Sequence, residues 1–297
     1  MEKLSLLLFS NSEFLILLCF TFVILIIGYF LYKLDYFKAE KHHSILSLIL
    51  MMIIYSVISF WKLGSTTFPT TTWQPTAEKQ QITFDFGKSE KFDAIYTIYG
   101  EGDTNSNPSA YQIGTNNIHL YASNDLQEWT RIASLKQGNI YTYAIEQGNW
   151  QYRYIKLVDL SENSSLSEIG FRKEDHTGFL PISILRDKQK DGPYPGSLLI
   201  DEQDKLVLSP TYYDQAYFDE IYHVRNAWEI ANGQYMYANV HPLLGTNIIA
   251  LSIHLFGMNP FSWRLPGAIA GVLMLPVLYG ILKLLLKRDE LSLIGSF

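Results

Sequence analysis

Two long apolar runs at opposite ends of the chain, separated by a polar middle, restrict its possible folds more than any other feature. The first run extends almost without interruption from Phe14 to Tyr32, and the second extends from Leu265 to Leu286. At ~1.5 Å of rise per residue, either run is long enough as a helix to cross a hydrocarbon core of ~30 Å. The middle, from about Thr66 to Gln215, is polar and rich in tyrosine. This pattern predicts a membrane protein with a large water-facing insert.

A third apolar run and the distribution of basic residues predict a topology. Ile45 to Trp61 ends in aromatic residues suited to the headgroup region, so this run is expected to return across the membrane. Basic residues follow the first run, at Lys33, Lys38, Lys41, His42 and His43. The last run ends in basic residues, at Lys283, Lys287 and Arg288. Because short cytoplasmic loops are enriched in lysine and arginine, both clusters are predicted to be cytoplasmic. Residues from about 62 to 264 are then extracytoplasmic in a multi-pass protein of the cell membrane.

The net charge and the single cysteine limit which binding partners and which cellular compartment are expected. The net charge is -6, without a basic stripe, so nucleic acid is not an expected partner. Cys19 is the only cysteine, and an exported region of this size without disulfides is more typical of bacteria than of the endoplasmic reticulum. A cleaved signal peptide is the alternative to a first span. It needs small residues at its cleavage site, whereas bulky residues end this run.

Within the insert, short β-rich runs alternate with turn residues. The runs are Ile82–Phe86, Ala94–Tyr99, Ile118–Ala122, Thr142–Ile145 and Tyr154–Val158. The predicted turns between them are Gly100–Asp103, Ser123–Asp125 and Gly148-Asn149. This pattern predicts an antiparallel β-sandwich, and the whole chain is predicted to be an α+β membrane protein. Core packing is expected to account for most aromatic residues of the insert, although such rings can also stack on sugars.

These features divide the chain into four predicted parts. Residues 1–64 form two transmembrane helices with a cytoplasmic loop, and residues 77–173 form the sandwich. Residues 174–208 are predicted to be a linker because they include a stretch rich in glycine and proline. Residues 209–297 form an exported loop and then a transmembrane helix. The residues after Arg288 look like the start of another apolar segment, so the chain is expected to be an amino-terminal fragment.

Part of the insert resembles a known family. The segment Ile118–Trp129, followed by Arg153–Leu157, resembles the discoidin, or coagulation factor type C, domain. The resemblance implies a jelly roll, in a family whose members often bind glycans or lipid headgroups through variable loops at one end. Because those loops vary, the resemblance carries no binding residue onto this chain. A purely structural module is the alternative interpretation.

A pair of adjacent carboxylates after the insert is the first candidate for chemistry. Asp219 and Glu220 come shortly before a helical pattern that stops at Asn232-Gly233. His223 is four residues after Asp219, so the two side chains share one helical face. A carboxylate pair outside the membrane is suited to acid–base chemistry.

A histidine and an arginine follow farther along the chain. His241 precedes Pro242, whose ring discourages helix at the histidine and favours a loop there. Arg264 is predicted at the outer mouth of the last span, beside small residues that allow helices to approach closely. Both side chains are therefore expected at polar positions outside or at the edge of the membrane.

In combination, Asp219-Glu220, His241–Gly245 and Phe261–Arg264 before a span rich in glycine and alanine resemble the protein O-mannosyltransferase family and relatives that use polyprenyl-phosphate sugars. The resemblance implies a bundle of many transmembrane helices with the acidic pair in the first exported loop. It also implies sugar transfer, with inversion, from a polyprenyl-phosphate donor to an extracytoplasmic protein or glycan acceptor. Leu243 stands where the family's His-Pro-Pro motif has its second proline.

The resemblance also implies roles for these residues. Asp219 would be the general base, and Glu220 would orient the acceptor, or bind a divalent metal as in relatives that need one. His241 matches the family's histidine, and His223 and Arg264 are candidate substrate-binding residues. The guanidinium of Arg264 suits the donor phosphate. No cofactor is certain, and a zinc site formed by the aspartate and the two histidines lacks a characteristic spacing.

Plainer interpretations exist for each part of this prediction. An exposed acidic pair at a helix start is favoured by the helix dipole without any chemistry. An arginine at a membrane boundary often only reaches to the headgroups. For the chain as a whole, the alternative to a glycosyltransferase is a membrane-anchored carbohydrate- or surface-binding module without catalysis.

Overall fold

The computed structural model describes residues 16, 18–26, 29, 42–100, 118–135, 139–160, 164–236 and 241–297. The strands are β1 (Gln80–Tyr99), β2 (Ile118–Ser123), β3 (Thr130–Ser134), β4 (Tyr143–Asp159), β5 (Leu166–Lys173) and β6 (Ser183–Asp187). The helices are α1 (His42–Phe60), α2 (Glu220–Ala231), α3 (Leu243–Phe256), α4 (Pro260–Leu286) and α5 (Asp289–Ser296). The predicted combination of helices with an antiparallel sheet is confirmed. The chain divides into two compact units, Met1–Leu63 with Arg264–Phe297, and Gly64–Trp263.

The first unit is helical where it is described. Among the described helices, α4 is the one long and apolar enough to cross a membrane, by its length and composition, and α1 contains a shorter apolar helix, Ser44–Phe60. Of the predicted first span, residues 16, 18–26 and 29 are described and helical, and the remainder lies outside the described residues together with residues 33–41. Gly271 of α4 fits the prediction that small residues allow helices to approach closely. A Cβ at this position would lie 3.4 Å from the Tyr55 hydroxyl of α1.

The second unit contains the sheet, whose strand order is β3-β2-β4-β1-β5, with β6 also paired to β1. The predicted turn at Ser123–Asp125 is confirmed, because Asp125 accepts hydrogen bonds from the backbone of Gln127 and Glu128. The turn predicted at Gly148-Asn149 is wrong. Phe92 pairs with Trp150 and Ala94 pairs with Gln147, so these two residues form a bulge inside β4. The predicted turn at Gly100–Asp103 lies outside the described residues after its first position.

The core of the sheet is built largely from aromatic and β-branched side chains. Phe86, Phe92 and Phe171 contact one another with ring centroids 5.2 to 5.7 Å apart, and Trp150 stacks on Phe92 at 5.3 Å. Edge-to-face and offset contacts of this kind add to the stabilisation from burial. The predicted assignment of aromatic residues to the core holds for this cluster.

Residues 174–208 were expected to be a linker, and the structure corrects this prediction. Their strand β6 pairs with β1, from Ile82 opposite Asp187 to Asp85 opposite Ser183. Leu199 of this segment is fully buried in the same core as β1 and β5. The glycines and prolines that suggested a linker lie in turns and short 3-10 helices that fold the segment back onto the sheet.

Glu168 on β5 predicts a pH dependence of stability. Its side chain is fully buried and accepts a hydrogen bond from the backbone N–H of Glu202 at 3.1 Å. Burial raises the pKa of Glu168 from 4.5 to about 8. Because the pKa is higher in the folded state than in the unfolded state, folding favours the protonated side chain. This contribution to stability is fully present below pH 4.5 and is lost as the pH rises through 8.

We therefore expect the free energy of unfolding of the native protein, relative to that of Glu168→Gln, to decrease between about pH 4.5 and 8. Glutamine is the matched control because it keeps the shape and an acceptor oxygen but does not titrate. The measurement is chemical unfolding of both proteins in detergent across this range. A difference that stays constant with pH would contradict the raised pKa.

Candidate functional site

Asp219 lies directly before α2, with its side chain exposed to solvent. Its backbone is already helical, with φ -72° and ψ -8°, and its carboxylate makes no capping hydrogen bond to the helix. An aspartate that serves as an N-cap usually has an extended backbone and accepts from a helix N–H. The preceding Phe218 has φ +50°, a conformation that is unfavourable for a large side chain. Asp219 is thus held at an exposed position without a capping function.

Glu220 is held more firmly than its neighbour. Its Oε2 accepts a hydrogen bond from the backbone N–H of Tyr217 at 3.0 Å and lies 3.4 Å from the indole Nε1 of Trp263. The side chain is half-buried. The two adjacent carboxylates therefore differ in environment, because Glu220 closes the turn before α2 and Asp219 projects into solvent.

The structure brings the two predicted histidines together. The ring centroids of His223 and His241 are 5.0 Å apart, with the planes tilted by 41°. His223 is half-buried on α2, and His241 is exposed in the loop before α3. Pro242 follows with φ -56° and ψ 134°, and the helix begins only after it, as the sequence predicted. The face of α2 that begins at Asp219 therefore carries His223, and the ring of His241 lies beside it.

The buried side of α2 carries an ion pair that the sequence analysis missed. Arg225 Nε lies 3.1 Å from Glu229 Oε1, and their side chains are 3% and 0% exposed. The spacing of four residues was the available signal, but on a surface helix such a pair is only weakly stabilising. Burial makes this pair an internal support of α2, one turn below the exposed site.

One backbone and one side-chain hydrogen bond join the segment before Asp219 to the residues at the start of β4. The N–H of Ala216 donates to the carbonyl of Tyr141 at 2.9 Å, and the N–H of Tyr143 donates to the side chain of Gln215 at 2.8 Å. A second core cluster joins the sheet to α2 and α3; it consists of Phe68, Ile98, Ile140, Tyr141, Ala216, Ile221, Val224, Ala227, Ala250, Ile253 and Trp263. The insert therefore forms one unit with the loop that carries the acidic pair.

Arg264 belongs to the helical unit, where it is half-buried near the start of α4. Its Nη1 donates a hydrogen bond to the carbonyl oxygen of Leu63 at 3.0 Å. This contact fixes the guanidinium beside the carboxyl-terminal end of α1. Its predicted contact with a donor phosphate stays a prediction.

Two further polar groups lie in the unit that contains the sheet. Within the described ranges, one set of acidic side chains is close enough to share a cation, with ligand atoms within 4.8 Å: Glu168, Asp201 and Glu202. Backbone N–H groups and the side chains of Gln203 and Lys205 already donate to Glu168 and Glu202. An open pocket of about 540 Å³ lies elsewhere and is lined by Ser89, Glu90, Lys91, Gln151, Lys173, Glu174, Asp175, Leu180 and Pro181.

Comparison with curated proteins identifies similar transferases. No family model matches the chain. The chain is 33% identical over 85 residues to a polyprenol-phosphate-mannose–protein mannosyltransferase of Mycobacterium tuberculosis, covering 27% of this chain and 16% of that protein. The protein of the same name from Mycolicibacterium smegmatis is 32% identical over 94 residues, covering 30% and 18%. The chain thus spans less than a fifth of these relatives, and over that stretch the predicted resemblance to this family is confirmed.

Solved structures provide a second comparison. CpGH89CBM32-6 of Clostridium perfringens is 22% identical and covers 38% of this chain and 82% of its own, with a TM-score of 0.28. The lectin domain of lectinolysin, in complex with Lewis B antigen, is 18% identical and covers 33% and 70%, with a TM-score of 0.25. These similarities assign no ligand to this chain.

Proposed function

We propose that the protein is a membrane glycosyltransferase that moves a sugar from a polyprenyl-phosphate carrier to an extracytoplasmic protein or glycan acceptor, with inversion. The main support is the exposed Asp219 carboxylate, which no capping bond occupies and which begins the face shared by His223 and His241. The relatives that carry the name polyprenol-phosphate-mannose–protein mannosyltransferase favour mannose as the sugar.

The reaction is a single displacement. The acceptor hydroxyl oxygen forms a bond to the anomeric carbon while the bond from that carbon to the carrier phosphate breaks. The hydroxyl proton moves to the Asp219 carboxylate, and the polyprenyl phosphate leaves with the electron pair of the broken bond. Positioning of the two reactants in line supplies much of the rate enhancement in such a step.

The remaining predicted residues take supporting roles in this proposal. The fixed carboxylate of Glu220 holds the turn before α2 and so sets the direction of Asp219. The imidazoles of His223 and His241 donate to the sugar or to the acceptor, and Arg264 contacts the donor phosphate. The proposed topology places residues of about 62 to 264 outside the cytoplasm of a multi-pass membrane protein, with the sheet as a jelly-roll insert.

Donor specificity tests this function. The intact protein in liposomes is given radiolabelled polyprenyl-phosphate mannose or a nucleotide-linked mannose, with an acceptor peptide. We expect transfer from the lipid-linked donor alone, and a product whose anomeric configuration, read by NMR, is opposite to that of the donor. Transfer from the nucleotide sugar alone, or retained configuration, would exclude the proposed displacement.

A second candidate function is carbohydrate binding by the sheet, and the open pocket beside β5 favours it. The pocket offers charged and amide side chains, including the ion pair Lys91–Glu174 with a 3.4 Å separation. Polar groups of this kind bind sugar hydroxyls. On a glycan array, the intact protein would bind a glycan and Gln151→Ala would weaken that binding, whereas Gln127→Ala, at an exposed residue that does not line the pocket, would not. No binding by the native protein would leave the sheet a structural insert.

A further inference from the structure

Three exposed aromatic side chains lie in the segment that leads to Asp219. Tyr212, Tyr217 and Phe218 are 65%, 52% and 75% exposed. The ring centroids of Tyr212 and Tyr217 are 4.3 Å apart, and those of Tyr217 and Phe218 are 6.3 Å apart. The three residues therefore form one continuous aromatic patch. Contiguous apolar surface that is left exposed on a folded unit commonly marks a binding site.

Phe218 and Asp219 are the two central residues of a tight turn. The N–H of Glu220 donates to the carbonyl of Tyr217 at 3.0 Å, and the Glu220 carboxylate accepts from the N–H of Tyr217 at 3.0 Å. The φ of Phe218, +50°, is one that turns normally give to glycine, asparagine or aspartate. A large apolar ring is thus kept at an unfavourable backbone position and directed into solvent. Strain of this kind is concentrated at functional sites.

The shape of the patch fits a side chain better than a sugar. The ring planes of Tyr212 and Tyr217 are tilted by 53°, and those of Tyr217 and Phe218 are tilted by 42°. Tilted rings do not present one flat face, which a pyranose ring needs in order to stack. They form a notch, and a notch surrounds a narrower apolar side chain on more than one side.

The charge of this segment distinguishes between the two reactants. From residue 206 to residue 224 the sequence contains Asp214, Asp219 and Glu220 and no lysine or arginine. Arg225, the next basic residue, is buried in an ion pair. The local negative charge opposes the anionic phosphate of the donor and is compatible with a neutral or basic acceptor. An apolar notch in acidic surroundings therefore suits a peptide.

We propose that the acceptor is an extended polypeptide segment, and that an apolar side chain next to its serine or threonine binds the aromatic patch. The inference rests on the proposed function, because it needs Asp219 as the base that receives the hydroxyl proton. Phe218 directly precedes Asp219, and successive residues of an extended peptide are about 3.3 Å apart. A side chain on the patch thus places a hydroxyl one or two residues away near the carboxylate. The patch positions the acceptor and sets its sequence preference.

Paired acceptor peptides test the inference with the intact protein in liposomes and labelled polyprenyl-phosphate mannose. One peptide has leucine on both sides of a single threonine, and the other has glycine at those two positions. The variants are Phe218→Gly, Tyr212→Ala and the control Tyr212→Phe, which keeps the ring. Because glycine suits the backbone at position 218, thermal unfolding of Phe218→Gly is expected close to the native temperature or above it. A change in acceptor binding is thereby separated from a loss of fold.

We expect the native protein to have a KM for the leucine peptide about 2- to 10-fold lower than for the glycine peptide, the usual size of an aromatic contact. Phe218→Gly and Tyr212→Ala should raise the KM for the leucine peptide by a similar factor and remove this preference. The kcat and the KM for the donor should stay unchanged, because the patch contributes only to acceptor binding. Tyr212→Phe should keep the native preference.

Three results would overturn the inference and leave the proposed function in place. The first is an equal KM for the two peptides in the native protein. The second is a preference that survives in both Phe218→Gly and Tyr212→Ala. The third is a raised KM for the donor in these variants, which would show that the patch contacts the lipid carrier or the membrane. Absence of transfer from the lipid-linked donor to either peptide would exclude the proposed function, and this inference with it.

Discussion

Asp219→Asn is expected to lower the rate of sugar transfer by about 10²- to 10⁴-fold, the usual contribution of a general base. Asparagine keeps the size of the side chain but cannot accept the hydroxyl proton. Because the native side chain is exposed and makes no capping hydrogen bond, the free energy of unfolding is expected to change by less than about 0.5 kcal/mol. The measurement is transfer from labelled polyprenyl-phosphate mannose by the intact protein, together with its thermal unfolding and membrane insertion.

Asp214→Asn is the matched control for this substitution. Asp214 lies in the same segment, but its carboxylate closes a turn by accepting from the N–H of Thr211 at 2.9 Å, and an asparagine oxygen can replace it. Its transfer rate should stay near the native value. The transfer rate of Glu220→Gln should lie between those of Asp219→Asn and Asp214→Asn, because an amide oxygen can still accept the hydrogen bond from the N–H of Tyr217. Full transfer by Asp219→Asn would remove Asp219 as the base.

Removing one member of the Arg225–Glu229 pair is expected to destabilise the second unit by about 3–5 kcal/mol, because the remaining charge stays buried after this ion-pair contact is lost. For a unit of this size, that corresponds to a decrease in Tm of roughly 6–20 °C. The two single variants are Arg225→Met and Glu229→Leu, and thermal unfolding in detergent measures the effect. Both side chains lie in the interior, so solvent screens this pair little.

The double variant Arg225→Met with Glu229→Leu distinguishes the ion pair from simple packing. An apolar pair of similar volume is often neutral or stabilising, so the double variant should recover most of the lost stability. The surface pair Lys88–Glu90, in which the lysine side chain is 78% exposed, provides the comparison, and Lys88→Met should cost about 0–1 kcal/mol. Additive losses in the double variant would contradict the assignment of the cost to the loss of this ion pair.

Several features of the site followed from local sequence. The start of α2 beside the acidic pair and the loop at His241-Pro242 depend on the preferences of neighbouring residues, and the structure has both. The long apolar run of α4 likewise predicts a helix long enough to cross a membrane. The turn at Ser123–Asp125 is equally local, because its hydrogen bonds close within three residues.

Errors in the sequence analysis arose where distant residues determine the local structure. Gly148-Asn149 has the composition of a turn, yet pairing with β1 on both sides keeps it inside β4 as a bulge. Residues 174–208 have the composition of a linker, yet β1 provides an edge for β6 and the core receives Leu199. Backbone pairing and burial of apolar surface outweighed local preference in both places.

The sequence by itself determined which residues carry the candidate chemistry and on which kind of element each lies. It could do so because side-chain charge, the backbone restriction at proline and runs of apolar residues depend only on nearby positions in the chain. Only the tertiary structure decided that His223 meets His241, that Arg225 and Glu229 are buried, and that the sheet and α2 share a core. Those outcomes depend on contacts between residues far apart in the chain, which no local pattern specifies.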